Sequence, residues 1–519
     1  MNTPQDVLDQ IKTGYGFTGA ALELGAAVTE DQAHADVPVR LPLSMMTRHG
    51  LVAGATGTGK TKTLQLMAEQ LSAQGVPVFL ADIKGDLSGM ASPGEPSNRV
   101  TARATDVGQQ WAPTSYPTEF YSLAGLGRGV PIRATITSFG PTLLSKVLAL
   151  NATQESCLGL IFHWADSRGL SLLDLKDLRA VISHLTSKEG KEELQDLGGL
   201  SSATAGVILR NLIAFSDQGG EDFFGEPEFD TADLLRVAPD GRGVVSCLEL
   251  PTMQEKPAVF STFLMWLLAD LFHDLPEVGD VDKPKLVFFF DEAHLLFDDA
   301  SKAFLDAIQQ TVRLIRSKGV GIFFVTQTPK DVPNDVLAQL GNRVQHALRA
   351  FTPDDAKALR ATVQTFPHSS YDLEELLTQL GIGEAVVTVL SQKGAPTPVA
   401  WTRMLAPQAL MAPSPDDVVD AAVSGSSLAG KYDEVIDRES AYEMLNARLE
   451  RAPTPEQEPA PTPARTTAAR QPAPSGKAAK NVLQEVTGSP VFRSMLRSAG
   501  TAIGREITRS LFGTARRRR

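Results

Sequence analysis

The sequence predicts an α/β fold in which a largely parallel sheet is covered by helices. Three observations carry this prediction. Short apolar segments alternate with amphipathic ones from about residue 46 onward, a glycine-rich segment joins the first strand to a helix, and a later apolar strand ends in two acidic residues. The alternation is typical of parallel sheets, because each crossover between parallel neighbours needs a connection of a dozen or more residues, usually a helix.

The individual elements follow from apolar runs and the residues that interrupt them. Short apolar runs predict strands, and longer segments with apolar residues on one face predict helices. We expect strands at 50–53, 76–82, 132–138, 243–250, 286–291, 319–326 and 343–348. Helices are expected from residue 60, at 257–272 and at 300–318, and a last hairpin at 384–390 and 396–401.

Composition divides the chain into five segments. A lead-in over 1–45 precedes a core over 46–405, which carries a mostly helical insertion at about 90–238. A helical extension over 406–450 leads into 451–480, whose Pro, Ala and Thr content predicts a disordered linker. The tail over 481–519 is basic: from residue 491 it carries eight Arg against one Glu, with apolar residues on one helical face.

Net charge, cysteine content and the distribution of apolar residues limit the classes of protein that the chain could belong to. The net charge is −12, which argues against a protein coated in basic surface but does not exclude a local basic channel for nucleic acid. The two cysteines, Cys157 and Cys247, form no CxxC spacing, so neither a disulfide framework nor a four-ligand zinc site is expected. No signal peptide and no apolar run of about 20 residues is evident, so we expect a cytoplasmic protein.

The segment GATGTGKT, residues 54–61, matches GxxxxGK[ST] between a predicted strand and a predicted helix. Glycines let backbone N–H groups surround phosphate oxygens, and the positive end of the helix faces the anion. Lys60 would reach the β- and γ-phosphates, and the Thr61 hydroxyl would bind Mg²⁺. The predicted nucleotide-binding residues are Gly54, Ala55, Thr56, Gly57, Thr58, Gly59, Lys60, Thr61 and Lys62.

The segment LVFFFDEAH, residues 286–294, is a buried strand followed by carboxylates at its C-terminal end, where sites form in parallel sheets. Asp291 would hold Mg²⁺, and Glu292 would act as the general base toward the attacking water. The alternative is that both acids only cap the next helix. Together with the glycine-rich loop, the pair indicates hydrolysis of a nucleoside triphosphate such as ATP.

Two further segments are less specific. Gln327 ends a strand that we expect beside the one carrying Asp291, so it could reach the γ-phosphate and the water, although a polar strand end is the alternative. The segment DIKGD, residues 82–86, follows the second strand, and its spacing alone indicates a turn with a helix cap.

In their order, these segments resemble the HerA/FtsK group of motor ATPases. The matching segments are TRHGLVAGATGTGKT, LADIKGDLSG, LVFFFDEAHLLF and RLIRSKGVGIFFVTQTPKDVP, followed by LGNRVQHALRAFTPDD. The resemblance covers about residues 40–405 and is greatest to bacterial HerA-like proteins of a domain-of-unknown-function class that lacks most of the N-terminal β-barrel. About 45 residues precede the glycine-rich loop, too few for a full barrel, so the paired nuclease of HerA is not carried over.

The resemblance implies a RecA-like core, a hexameric ring, and ATP-driven movement of duplex DNA or another polymer through the pore. By the positions of its motifs, the resemblance implies the roles given above for a set of five residues: Lys60, Thr61, Asp291, Glu292 and Gln327. It also implies that Asp82, Lys84 and Asp86 belong to a motif shared by the group, but it assigns them no defined role.

A ring of this kind would complete each site with an arginine from the next subunit, because positive charge is needed on the γ-phosphate as it leaves. The candidate residues follow the acidic strand and are Arg313, Arg316, Arg343 and Arg349. Of these, we include Arg316, Arg343 and Arg349 among the predicted catalytic residues, together with Glu292, Lys60 and Gln327. For each arginine the alternative is a pair with a surface carboxylate.

The motifs leave the substrate of the motor open. The first reading is a DNA translocase or helicase-like ATPase, and the second is an ATPase that moves or remodels protein, as related secretion motors do, or acts at the membrane without DNA. A small-molecule kinase is disfavoured by Glu292, and a GTPase switch by the lack of an [NT]KxD segment. The basic tail is read as an arm that grasps DNA, as a helix on an anionic membrane, or as a solubilising end.

Overall fold

The computed structural model describes residues 3–194, 198–250, 256–297, 302–434, 436 and 438–451. The described part of the chain divides into two compact units: the first contains residues between 3 and 134 and between 215 and 436, and the second contains residues between 135 and 214 and residues 438–451. The predicted linker and tail lie outside the described residues, except for Arg451. None of the helices in the described ranges combines the length and the apolar character needed to cross a membrane.

The first unit is built on a twelve-stranded sheet whose order is β2-β1-β12-β11-β10-β3-β9-β8-β4-β7-β5-β6. The strands are β1 (Ala21–Thr29), β2 (Gln32–Pro42), β3 (Gly50–Ala53), β4 (Val78–Asp82), β5 (Thr118–Leu123), β6 (Val130–Ile132), β7 (Val245–Glu249), β8 (Leu286–Phe290), β9 (Val320–Thr326), β10 (Asn342–Gln345), β11 (Glu384–Thr388) and β12 (Ala400–Met404). From β10 to β6 all neighbours are parallel. The α/β class with a parallel-rich sheet is confirmed, and so is the terminal hairpin of β11 and β12.

Helices connect the strands of the first unit. They are α1 (Pro4–Gly14), α2 (Lys60–Ala73), α3 (Asn98–Val107), α9 (Pro257–Asp274), α10 (His294–Phe297), α11 (Lys302–Ile315), α12 (Asn334–Leu337), α13 (Pro353–Val363), α14 (Leu373–Gln379), α15 (Asp416–Ser424) and α16 (Ala429–Tyr432). The helices that begin in the second unit are α4 (Ile136–Val147), α5 (Ala152–Ser167), α6 (Leu175–Thr186), α7 (Lys188–Glu193), α8 (Ser202–Asp217) and α17 (Ala441–Arg451).

The central strands are apolar on both faces because both faces are covered. Side chains alternate between the faces of a strand, and in β8 Phe289 belongs to the core cluster that contains Leu64 and Met67 of α2. Its neighbour Phe288 packs against Phe79 of β4 with the two rings tilted, and Phe79 in turn contacts Phe263 of α9. Burial on both faces explains why the sequence LVFFF has no polar alternation.

The lead-in over 1–45 contains two strands of the sheet, which the sequence did not predict. Residues 21–42 form β1 and β2, an antiparallel pair that joins the sheet through β12. The two-residue turn between them consists of Glu30 and Asp31, both at positive φ. Such turns favour Asn and Gly, so this acidic pair gave no hairpin signal.

The predicted strand over 132–138 is wrong. Strand β6 ends at Ile132, and Thr135 caps α4 by accepting a hydrogen bond from the Ser138 amide. A threonine N-cap ends the extended backbone there, since it satisfies an amide that the first turn of a helix leaves free. The helical part of the predicted insertion therefore begins at α4, whereas β5 and β6 belong to the sheet.

Candidate nucleotide-binding and catalytic site

The predicted site residues lie at one edge of the sheet because their strands are neighbours. The order β10-β3-β9-β8-β4 is parallel throughout, so the carboxyl ends of these strands meet at the same edge. The glycine-rich loop follows β3, Gln327 follows β9, Asp291 and Glu292 follow β8, and the 82–86 segment follows β4. Segments up to 273 residues apart, from Gly54 to Gln327, thus share one edge.

The glycine-rich loop has a backbone that few other residues would adopt. Gly57 and Gly59 have φ of 80° and 113°, the left-handed region that favours glycine. Gly54 donates to the Thr326 carbonyl at 3.2 Å and Ala55 to the Ala347 carbonyl at 2.8 Å, which ties the loop to both neighbouring strand ends. Within the described residues, the amides of Gly57 and Gly59 have no acceptor. They are available to an anion, as are the first-turn amides of α2.

Lys60 begins α2 and turns back over the loop. Its ammonium group is 3.2 Å from the Ala55 carbonyl, and the residue is only 6% exposed. Burial lowers the pKa of Lys60, although the carboxylates of Glu292 and Asp291 act in the opposite direction. A buried cation with one neutral partner is suited to binding phosphate.

The next two residues of α2 differ in surroundings. Thr61 is half-buried in the first turn. The ammonium of Lys62 is buried and has no hydrogen-bond partner among the described residues. Burial lowers the pKa of Lys62, and the charges of Asp86, Asp82 and Asp291 oppose that effect. Lys62 therefore contributes positive charge beside the carboxylates that follow β4 and β8.

The two acids after β8 are buried and differ in their partners. Asp291 is 2% exposed; its Oδ1 accepts the Glu292 amide at 2.9 Å, and its Oδ2 has no partner among the described residues. Burial and the neighbouring Glu292 charge raise the pKa of Asp291 to about 6. Glu292 is 4% exposed and adopts a φ of 48°, a strained conformation for a residue with a side chain.

Glu292 is paired with Lys84, the lysine of the DIKGD segment. Burial raises the pKa of Glu292, but the hydrogen bond and charge of Lys84 outweigh it and hold the pKa below its usual value. His294 Nδ1 lies 3.3 Å from Glu292 Oε2, but neither atom has a hydrogen-bond partner among the described residues, so the contact is one of proximity only.

Gln327 lies next to the loop in an exposed position. The turn that carries it is organised by Asp331, whose carboxylate accepts from the Thr326 hydroxyl at 2.7 Å and from the Thr328 amide at 2.9 Å. Strand β9 lies beside β8, the strand that precedes Asp291, as expected, and its other neighbour is β3. This places Gln327 between the phosphate loop and the acidic pair along the edge.

The arginines occupy different ends of the sheet. Arg316 precedes β9, at the opposite end from Gln327, and forms an ion pair with Asp280 at 2.8 Å. Arg343 lies within β10 and donates to the Thr365 hydroxyl. Arg349 is exposed just beyond β10, two residues after the Ala347 carbonyl that binds the loop. Among these three, only Arg349 follows a strand at the nucleotide edge.

Two supports of the loop had no signal in the sequence. His346 is fully buried; its Nδ1 contacts the Glu384 carbonyl at 2.8 Å and its Nε2 contacts the Thr63 hydroxyl of α2 at 2.9 Å. A Cβ on Gly54 would lie 2.5 Å from the His346 Cβ, so the close approach requires glycine. His346 directly follows β10, and only its contacts in the folded chain show its role.

The second support is the turn before β11. The Gly383 amide donates to the Thr58 carbonyl of the loop at 2.9 Å. Arg103 of α3 donates to the carbonyls of Ile382 and Gly383 at 2.9 and 2.8 Å, and to that of Met404 at 3.1 Å. The arginine thereby fixes the turn that contacts the phosphate loop.

The match to a known family agrees with this geometry. Residues 27–519 match the helicase HerA-like C-terminal family, which is more than half of the chain. The chain belongs to this family. It is a P-loop nucleoside triphosphatase of the HerA/FtsK type, as its motifs predicted.

Two similar proteins are named as helicases. This HerA-like chain is 24% identical over 363 residues to the DNA double-strand break repair helicase HerA of Sulfurisphaera tokodaii, covering 68% of this chain and 64% of the relative. It is 22% identical over 387 residues to the protein of the same name from Saccharolobus solfataricus, covering 73% and 68%. The alignments thus span about two thirds of the curated relatives.

Solved structures show the same fold. The unbound bacterial conjugative coupling protein TrwB aligns with a TM-score of 0.50 at 14% identity, over 78% of this chain and 95% of that chain. TrwB in complex with the non-hydrolysable GTP analogue GDPNP gives the same TM-score and identity, over 80% and 96%. At this identity the likeness concerns the fold of the HerA-like core and not its substrate.

The residues of the HerA-like site fit a divalent cation. Asp291 Oδ2 is a buried carboxylate oxygen without a partner among the described residues, and it lies at the edge reached by the first turn of α2, where Thr61 is located. No cluster of three or more potential metal ligands of the His, Cys, Asp or Glu type occurs in the described part of the chain. This set suits Mg²⁺, which is commonly held by one or two protein groups together with substrate phosphates.

Proposed function

We propose that the protein is an ATP-driven translocase of duplex DNA. The observation that carries the proposal is the single sheet edge at which the phosphate loop, Lys60, Asp291 and Glu292 converge. Family membership and the names of the relatives supply the choice of DNA as the polymer. The coupling of hydrolysis to movement rests on these relatives, since the site itself accounts for hydrolysis only.

The chain's own residues account for binding of the triphosphate. Free amides of Gly57, Gly59 and the first turn of α2 would surround the β- and γ-phosphates. Lys60 would exchange its contact with the Ala55 carbonyl for phosphate oxygens, a stronger partner for an ammonium group. Thr61 and Asp291 would hold Mg²⁺, which supplies charge neutralisation on the phosphate oxygens when bound.

Glu292 is the proposed general base. Its carboxylate would accept a proton from the water whose oxygen forms the new bond to the γ-phosphorus, while the bond to the β-γ bridging oxygen breaks and ADP leaves. The exposed Gln327 would orient that water from the neighbouring strand end. General-base catalysis of this type contributes ~10²–10⁴ in rate.

The active form that we propose is a hexameric ring with sites shared between subunits. Arg349 is our preferred trans arginine, because it is exposed at the nucleotide edge, whereas Arg316 is engaged with Asp280 at the other end of β9 and Arg343 with Thr365. An arginine supplied in trans stabilises the charge of the transferred phosphoryl group and is worth ~10³–10⁵ in rate.

We also propose a cytoplasmic protein whose basic tail over 481–519 contacts a polyanion, with duplex DNA as the first choice. The eight arginines from residue 491 onward support an electrostatic contact. An anionic membrane surface would attract the same charges and is therefore included in the test.

The test compares steady-state ATP hydrolysis alone and with linear duplex DNA, single-stranded DNA, RNA or liposomes of anionic lipid. Duplex DNA is expected to raise kcat, and the stimulation should fall with salt because the contacts are electrostatic. Stimulation by liposomes alone, or equal rates under all conditions, would contradict the DNA motor and favour an ATPase that acts on protein or at the membrane. Glu292→Gln supplies the background rate.

A further inference from the structure

The loop that follows β4 is held in a defined shape by one buried carboxylate. Asp82 is fully buried and accepts the amides of Lys84, Gly85 and Leu87 at 3.1, 2.8 and 2.7 Å. Gly85 sits at a φ of 76°, which lets the chain turn there. The backbone of Lys84 is thus fixed at the edge that carries the acidic pair, and only its side chain is free to move.

The Lys84 side chain crosses from β4 to the neighbouring strand end and pairs with Glu292 Oε1. The two partners differ in freedom: the Glu292 side chain is 4% exposed, whereas 45% of the Lys84 side chain is exposed. A buried carboxylate on a constrained backbone has one position, but a flexible four-carbon stem allows a lysine ammonium to exchange partners. The ion pair also occupies an oxygen of the proposed base.

A second cation lies in the same place. Lys60 begins α2 at the end of the phosphate loop, at the same edge as the two carboxylates, and the charges of Glu292 and Asp291 act on both Lys60 and Lys84. Lys60 belongs to the phosphate loop, and its target is therefore phosphate. Lys84 pairs with Glu292 at the same edge of the sheet that carries the phosphate loop, so its ammonium group would compete for the same target.

We propose that Lys84 is a γ-phosphate-responsive latch on the general base. Without triphosphate it pairs with Glu292; when ATP is bound its ammonium transfers to a γ-phosphate oxygen, which releases Glu292 to accept the proton of the attacking water. The γ-phosphate carries more charge than one carboxylate and offers three oxygens, so it is the better partner. This inference rests on the proposed role of Glu292 as the base.

The latch predicts discrimination between ATP and ADP. Lys84→Met should weaken binding of a non-hydrolysable ATP analogue with Mg²⁺ about ten-fold or more, while the affinity for ADP changes little, because only the triphosphate has the γ-phosphate. The kcat for ATP should fall ~10²–10³-fold, as for loss of a group that stabilises the transferred charge. Lys84→Arg, which keeps the positive charge, should show smaller losses of both ATP-analogue affinity and kcat. Lys330→Met, which alters an exposed lysine after β9, should leave both quantities unchanged.

A double-mutant cycle isolates the competition. Glu292→Gln removes the charge that holds Lys84, so it should tighten binding of the ATP analogue, and the gain should be smaller in a Lys84→Met background. Equal gains in both backgrounds would overturn the latch, since Glu292 would then act on the nucleotide directly. Equal losses for ATP analogue and ADP in Lys84→Met, or no change at all, would overturn it too.

The same variants separate this inference from the proposed function. Full ATP turnover by Glu292→Gln would remove Glu292 as the base and with it the latch. An inactive Glu292→Gln combined with unchanged ATP discrimination in Lys84→Met would leave the base assignment intact and reject the latch alone.

Discussion

Thr63 and His346, 283 residues apart in sequence, meet inside the core: the Thr63 hydroxyl lies 2.9 Å from His346 Nε2. The other ring nitrogen faces the Glu384 carbonyl, which can only accept, so we assign the proton to Nδ1 and leave Nε2 to accept from the hydroxyl. A neutral imidazole therefore joins the helix of the phosphate loop to β11.

This contact predicts acid sensitivity. Burial lowers the pKa of His346 to about 4, below the usual 6.5, so the folded state disfavours the charged form. Its stabilisation should be complete above about pH 6.5 and be lost as pH falls toward 4, by an amount on the order of 3 kcal/mol. Urea unfolding of His346→Gln at pH 7.5 and 4.5 should show a smaller fall in stability than the unsubstituted protein.

The control for that measurement is His368→Gln, because His368 is exposed. Its stability should fall with pH as steeply as that of the unsubstituted chain. An equal pH dependence in the His346 variant would show that this histidine is not held neutral by the fold.

Substitutions of Lys60 and Glu292 should impair different steps: the first nucleotide binding, the second hydrolysis. Lys60→Ala is expected to lose tight ATP binding because Lys60 would contact phosphate in the ground state. Glu292→Gln should bind ATP and lose ~10²–10⁴ in kcat, since the base acts only as reaction begins. Nucleotide titration and steady-state hydrolysis test both, with the exposed Glu374→Gln as control. Normal turnover in Glu292→Gln would remove it from the catalytic role.

Arg103 should matter for the loop although it lies outside every motif. Arg103→Met removes charged donors from the carbonyls of Ile382, Gly383 and Met404. We expect a loss of about 1.5–3 kcal/mol in the free energy of unfolding and weaker ATP binding, because the turn that contacts Thr58 is no longer held. The exposed Arg99→Met on the same helix should have neither effect, and identical behaviour of the two variants would refute the bracing role.

Mixing experiments test the shared site. Glu292→Gln has intact arginines, and Arg349→Ala has an intact base; alone, each should hydrolyse ATP poorly. If sites form between subunits, the mixture should recover activity, because some interfaces combine both intact halves. Equivalent mixtures with Arg313→Ala, Arg316→Ala and Arg343→Ala rank the other candidates. No recovery with any of the four, together with a monomer in sedimentation under ATP, would reject the ring.

Much of the nucleotide site could be predicted from sequence because its chemistry is local. A loop that wraps phosphate needs glycines at fixed spacing from a lysine, and a carboxylate at a strand end needs an apolar run before it, so Lys60 and Asp291 could be recognised from their immediate neighbours. The β11–β12 hairpin could likewise be predicted. The edge pair β1 and β2 was missed because its turn, Glu30–Asp31, lacks the usual residues.

The sequence by itself determined the fold class, the phosphate loop and the acidic pair, because each depends on residues close together in the chain. Only the tertiary structure decided the partners of those residues: Lys84 on Glu292, His346 beneath the loop, and Arg316 at the far end of its strand. Which strands become neighbours depends on the packing of the whole sheet, and a contact across 208 residues, such as that of Lys84 with Glu292, leaves no local pattern for the sequence to display.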